Sequence, residues 1–171
     1  MIIVTSRLRL DPLTDAAAAL VYPLMSDPEV MAHWDVPEFD DPDLVAGVVA
    51  QQVADTQSGA AKYWTMQTLA DGEFVGVCDL SAIDRAHHTA DVGFMLKREA
   101  WGQGYALEAM QAVIAHAAGD DFKTLTARTH FGNRRSEALL TNLGFKEAGR
   151  VRGEADRDGE RRDGRLWALV L

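Results

Sequence analysis

A chain of 171 residues with 47% apolar content can bury a substantial core, and its one cysteine, Cys78, excludes an internal disulfide framework. Seventeen basic against 26 acidic residues give a formal charge of −9, which argues against wrapping nucleic acid through its phosphates and favours a basic or cationic partner. MIIVTSRLRL has no charged region followed by an apolar core, and the apolar run AAAALVYPLM is about half a membrane span and contains Pro23; no secretion, no membrane partner and a reducing cytoplasm are expected.

The opening VTSRLRLDPL suggests an edge or early strand closed by Pro12, after which Thr14 and Asp15 can cap a helix through LVYPLM. A second short helix is expected from SDPEVMAHW, with Ser26 or Asp27 as cap and Pro28 in its first turn, and PDLVAGVVAQQVADTQ reads as a third. Past Gly59 the period changes: KYWTMQTL and FVGVCDLSAI form a hairpin turning at Asp71-Gly72. TADVGFMLKRE continues the sheet, WGQGYALEAMQAVIAHAA is a central helix, and TLTARTH (124–130) is a strand, which implies a parallel pairing with a right-handed crossover. In NRRSEALLTNLGF, Asn133 is the N-cap, Leu139, Leu140 and Leu143 are core candidates, and Gly144 is the stop. FKEAGRVRGEA, a loop at Asp158-Gly159, and RRDGRLWALVL close the chain as a hairpin. No repeats or linkers interrupt it, so one domain over 1–171 is expected.

Two glycines, Gly102 and Gly104, stand where a strand enters a helix. Each costs about 1 kcal/mol relative to alanine inside a helix. At the helix mouth they let several backbone N–H groups point outward beside the positive end of the dipole, which suits a phosphate. A tight turn needing positive φ explains the same residues. A dinucleotide fingerprint does not: its third glycine would fall on Leu107, and the preceding strands form a meander. No metal is expected, since the adjacent His87 and His88 point apart and no CxxC or HExxH string is present.

WGQGYALEA after DVGFML, followed by NRRSEALLTNLGF, resembles the GNAT superfamily of acetyl-CoA-dependent N-acetyltransferases, in the branch typified by ribosomal-protein N-terminal acetyltransferases. RLRLDPL and SDPEVMAHW extend the resemblance over nearly the whole chain. It implies an α/β (α+β) fold: a central, mixed, mostly antiparallel sheet of about seven strands, flanked by helices and splayed at an acetyl-CoA cleft. It also implies acetyl-CoA as co-substrate and direct attack by a primary amine in a ternary complex.

The family's loop pattern falls on Trp101, Gly104 and Ala106, with Trp101 a variant of this branch. The backbone amides of Gly102, Gln103, Gly104, Tyr105 and Ala106 would hold the coenzyme A pyrophosphate, and the Gln103 side chain could add a hydrogen bond. An amide near Met95 or Leu96 would stabilise the oxyanion, with a bulge at Gly93. Asp91, where relatives often carry glutamate, is the first base candidate, acting through a water; an aspartate held by a neighbouring arginine accounts for it equally. His130 is a weaker candidate.

The tyrosine that often protonates the leaving thiolate is replaced by Leu140, and Ser136 takes that role in this branch, while Asn133 contacts coenzyme A or caps its helix. The missing tyrosine also fits a non-catalytic acyl-CoA-binding module. The acceptor implied is a protein or peptide N-terminus or a small cationic amine, and an α-amine near pKa 8 needs less deprotonation than a lysine near ~10.4. By the resemblance, the acidic runs DVPEFDDPD (35–43) and GEADRDGE (153–160) flank the amine entrance. Trp101 and Trp167 suit either the core or a homodimer interface.

Overall fold

The computed structural model describes residues 1–157 and 160–171, and of residues 154–157 and 160–162 it describes the backbone. The elements run β1 (Ile3–Val4), β2 (Leu8–Pro12), α1 (Ala18–Met25), α2 (Pro42–Ser58), β3 (Lys62–Thr68), β4 (Phe74–Asp84), β5 (Thr89–Leu96), α3 (Tyr105–Gly119), β6 (Thr124–His130), α4 (Arg134–Asn142), β7 (Lys146–Arg157) and β8 (Glu160–Val170). The turn read at Asp158-Gly159 lies outside the described residues, as do the side chains of the GEADRDGE run from Glu154 onward.

Among the described residues, one sheet of eight strands, in the order β1-β2-β3-β4-β5-β6-β8-β7, carries four α-helices. Every pairing is antiparallel except β5 with β6, which α3 connects. The eighth strand beyond the expected number is accounted for by the opening segment, which folds back on itself as β1 against β2. Strand alternation places two cores on opposite faces. Leu80, Val92, Met110, Val113, Leu125 and Leu140 fill the α3/α4 face. Val21, Leu24, Val45, Val49 and Met95 fill the α1/α2 face.

Three boundaries differ from the sequence reading. The helix expected from SDPEVMAHW is a 3-10 turn, Met31–His33. Asp27 does not cap a helix there: its Oδ1 accepts from the Glu29 N–H (2.9 Å) and its Oδ2 from Arg98 Nε (2.7 Å), which ties this segment to the residues after β5. Thr14 gives no side-chain cap, and a 3-10 turn, Asp15–Ala17, leads into α1. The central helix starts at Tyr105 because Gly102 (φ +74°) and Gly104 (φ +80°) take left-handed conformations. Asn133 caps α4 as expected, its Oδ1 accepting from the Ser136 N–H at 3.3 Å. Among the described residues, no helix is long and apolar enough to cross a membrane.

Candidate active site

β5 and β6 are paired only at Thr89, Ala90 and Asp91 against Thr124, Leu125 and Thr126. Beyond that point β5 stays on β4 as far as Leu96, while β6 stays on β8 as far as His130. The sheet therefore opens as a V whose arms are Val92–Leu96 and Ala127–His130. A cleft of about 1010 Å³ fills the V and continues over the loop before α3 and the first turns of α4. That volume is at the large end for small-molecule sites, which run to ~1,000 Å³.

Backbone phase decides which amides reach the cleft. Lys97 N–H donates to the Val75 carbonyl at 3.1 Å, and the β4–β5 register runs unbroken from there through Ser81–Asp91. Alternation then turns the Met95 and Gly93 backbone groups toward β4 and those of Phe94 and Leu96 toward the cleft. Of the two amides expected there, that of Leu96 faces the cleft and that of Met95 faces β4; the Phe94 amide also faces the cleft. Gly93 carries no bulge. A Cβ there would lie 2.5 Å from Asp79 Oδ1, so its role is to leave room for that carboxylate.

At the mouth of α3, Gly104 is the N-cap without a side-chain cap, so the first amides of the helix are open toward the cleft. Three side chains fix the loop. Trp101 Nε1 donates to the Leu96 carbonyl at 3.0 Å, Gln103 Nε2 to the Glu99 carbonyl at 2.7 Å, and an Arg7 amine (Nη1) to the Gln103 carbonyl at 2.9 Å. The Gln103 side chain is thus engaged within the loop and does not supply the hydrogen bond expected of it; its backbone N–H remains a candidate. The Arg135 guanidinium lies 4.4 Å from the Trp101 ring centroid, which brings a cation beside the loop. Arg134 and Arg135 both line the cleft, as do Asn133 and Ser136. Leu140 is buried and offers no proton. Trp101 and Trp167 both serve the protomer itself, Trp167 donating to Thr129 Oγ1 at 2.9 Å from a buried position.

The proton-transfer candidates separate. Asp91 sits at the apex of the V and accepts a hydrogen bond from the Thr126 hydroxyl; threonine, not the expected arginine, holds it, and neither Asp91 nor Asp79 is itself among the residues that line the cleft, which Gly93 reaches between them. Asp79 stands beside it on the same face, and burial pushes its carboxyl up to about 6, with the Ser81 hydroxyl pulling it down and the Asp91 charge adding to the rise. His130 lines the opposite arm; its Nε2 meets Asp35 Oδ1 at 2.5 Å, and its Nδ1 is buried with no hydrogen-bond partner among the described residues. Sequence reasoning passed over Asp79. Its signal was a glycine, Gly93, directly across the strand pair. Among the described residues no group of His, Cys, Asp and Glu is arranged to hold a metal ion.

A V between a parallel strand pair, with open amides at a helix mouth on one side, defines an acyl-CoA-dependent transferase cleft. Residues 7–146 match the acetyltransferase (GNAT) domain family, and the chain belongs to it. It is 28% identical over 169 residues to N-acetyltransferase p20 of Bacillus licheniformis, covering 98% of this chain and 92% of that one. Among solved structures, RimL, a ribosomal α-N-protein acetyltransferase in complex with coenzyme A, superposes with a TM-score of 0.91 at 20% identity, covering 100% of this chain and 98% of that one. Spermidine N-acetyltransferase of Vibrio cholerae, in complex with CoA and spermine, gives 0.85 at 17% identity, with 96% of each chain covered. The protein is an N-acetyltransferase whose co-substrate is acetyl-CoA.

Proposed function

We propose that the acceptor is a positively charged primary amine, with the α-amine of a basic peptide or protein N-terminus favoured over a lysine side chain. The observation that carries this is the lining of the cleft by Glu29, His33, Trp34 and Asp35, of which Glu29 accepts from Arg98 Nη1 at 2.9 Å and Asp35 meets His130 Nε2, so that an incoming ammonium joins two existing charge pairs. Two carboxylates and an indole face suit an ammonium group. Arg128, Arg134 and Arg135 line the cleft as well. Two solved neighbours act on related chemistry, one being an α-N-protein acetyltransferase and the other carrying spermine. The α-amine is favoured on chemical grounds because about a tenth of it is already neutral at pH 7.

In this reading one catalytic domain binds acetyl-CoA with its pyrophosphate on the amides of residues 102–106 and the Arg135 guanidinium nearby. The thioester carbonyl lies against the Phe94 and Leu96 amides. Donors aimed at a developing oxyanion are worth about 3 kcal/mol each. The amine attacks from the α1/α2 side, the C–S bond breaks, and Ser136 lies where a hydroxyl can pass a proton to the leaving thiolate. Asn133 serves this indirectly, since its cap fixes the turn that presents Ser136.

Thiol release from acetyl-CoA, followed over a panel of peptides matched except for charge beside the N-terminus, together with polyamines and neutral amines, tests the reading. Basic α-amine peptides should give the highest kcat/KM, and the advantage should shrink as salt shortens the Debye length from ~10 Å at 0.1 M to ~3 Å at 1 M. A neutral or acidic amine emerging as the best acceptor overturns it.

A further inference from the structure

We propose that Asp79, whose carboxylate lies across Gly93 at the edge of the V, takes the proton from the attacking ammonium. The proposal rests on the acetyl-transfer reading above and names the group that makes the amine nucleophilic. The geometry is specific. Tyr63, Asp79 and Gly93 form one row across β3, β4 and β5, with Ser81 and Asp91 forming a neighbouring row on the same face, toward α1 and α2. The row ends at Gly93 because β5 and β6 have already parted there. Any side chain at 93 would stand between Asp79 and the cleft; glycine removes it, and Asp79 Oδ1 lies 2.5 Å from where that Cβ would be. Gly93 is itself part of the cleft lining. The Asp79 carboxylate therefore overlies the strand whose next residues, Phe94 to Leu96, border the expected thioester position.

Asp91 is less suited to the same task. It stands where β5 and β6 are still joined, with its carboxylate taken by the Thr126 hydroxyl. Burial is what chiefly disfavours ionisation of Asp79, and the Asp91 charge adds to it, which brings that carboxyl closer to the pH at which a base works best. The groups facing Asp79 are otherwise few. Tyr63 on β3 is itself pushed up to about 12 by burial and by the charges of Asp79 and Asp55, so it stays protonated. Tyr22 on α1 is also packed on this face and points its hydroxyl to the Asp40 carbonyl, Asp55 on α2 acts on Tyr63, and Arg9 and Asp11 on β2 pair with each other. Among the described ion pairs none neutralises Asp79.

The protons balance as follows. The ammonium gives one proton to Asp79, which passes it to solvent; the neutral amine forms the C–N bond at the thioester carbon. The adduct nitrogen loses a second proton as the C–S bond breaks, and one proton reaches the thiolate, leaving the amide and free coenzyme A.

The test compares Asp79→Asn, Asp79→Ser and Asp91→Asn in the full chain by thiol release from acetyl-CoA with a basic α-amine peptide, across pH 5.5 to 9.5. Thermal unfolding and the stabilisation given by acetyl-CoA serve as fold and binding controls. Removing a general base costs typically 100-fold or more. Both Asp79 variants should lose about that factor in kcat at pH 7, keep KM for acetyl-CoA, and recover toward the wild-type rate as the pH approaches 9.5, where the amine is neutral without help. Asp91→Asn should keep its rate within about tenfold and retain the acid limb of the profile. A pH-independent loss in the Asp79 variants, rates within threefold of wild type, or transfer of the whole effect to Asp91→Asn each overturns the proposal. If wild type releases no thiol faster with any amine, the acetyl-transfer reading has failed, and the proposal falls with it.

Discussion

Replacing Glu108 by glutamine isolates the tether between the N-terminal segment and the mouth of α3. Glu108 Oε1 accepts from Thr5 Oγ1 (2.6 Å), Ser6 Oγ (2.9 Å) and the Arg7 N–H (2.7 Å), and Oε2 accepts from Arg7 Nε (2.6 Å). Burial pushes this carboxyl up, but the hydrogen bonds from Thr5, Arg7 and Ser6 outweigh it and bring it down from 4.5 to about 2. One pKa unit is worth about 1.4 kcal/mol, so the tether contributes at most about 3 kcal/mol. Solvent screening reduces that figure, because the Arg7 side chain that meets Glu108 is 49% exposed. A depressed carboxyl stabilises fully above its unfolded value and loses that contribution as the pH falls toward its folded value. Urea unfolding at pH 7 should therefore show Glu108→Gln destabilised by about 1 to 2 kcal/mol, with Tm lower by roughly 5 °C. By pH 3 the gap should have narrowed clearly. An equal gap at pH 7 and pH 3, or one below about 0.5 kcal/mol at pH 7, refutes the charge argument. Since Arg7 also holds the Gln103 carbonyl, acetyl-CoA binding should weaken in the same variant.

Gly104→Val forces a β-branched residue into a left-handed conformation and brings its Cβ to 3.3 Å from an Arg7 amine; a folded protein that acetyl-CoA no longer stabilises against heat is expected. Arg135→Ala removes the cation from Trp101, and acetyl-CoA affinity by calorimetry should fall about five- to tenfold with kcat little changed. Asp79→Asn carries a stability signature as well: a raised carboxyl makes the folded state bind the extra proton between its unfolded value near 3.8 and its folded value of about 6, so wild-type stability falls as the pH rises through that window. The asparagine variant should lack that fall and gain up to about 3 kcal/mol at pH 7 in denaturant titrations. Neutralising Glu29 and Asp35 together should raise KM for a basic peptide several-fold at low salt and leave kcat for a neutral amine unaltered.

The loop and the last helix were legible because their function needs unusual residues at fixed spacing. Gly102, Gly104, Asn133 and Ser136 sit where the sequence put them, and the parallel β5–β6 pair followed from the strand, helix, strand order. What could not be read was set by partners distant in the chain. Asp27 satisfies a helix-cap pattern, yet Arg98, 71 residues away, takes its carboxylate. Gln103 looks available until Glu99 claims it. Asp91 and Asp79 are equivalent in the sequence as strand aspartates; only the register that sets Asp79 opposite Gly93, and Asp91 opposite Thr126 at the apex, tells them apart. The acidic run 35–43 divides in the same way. Asp41 caps α2 by accepting from the Asp43 N–H at 2.9 Å, whereas Asp35 lines the cleft.

A crystal structure with coenzyme A bound tests the central claim most directly. Pyrophosphate oxygens are expected within hydrogen-bond distance of the backbone N–H groups of residues 102–106, with the thiol lying in the V between the Phe94–Leu96 and Ala127–His130 arms. A coenzyme A molecule seated elsewhere, or one whose pyrophosphate is held by arginine side chains with those amides turned away and its thiol outside the V, contradicts it.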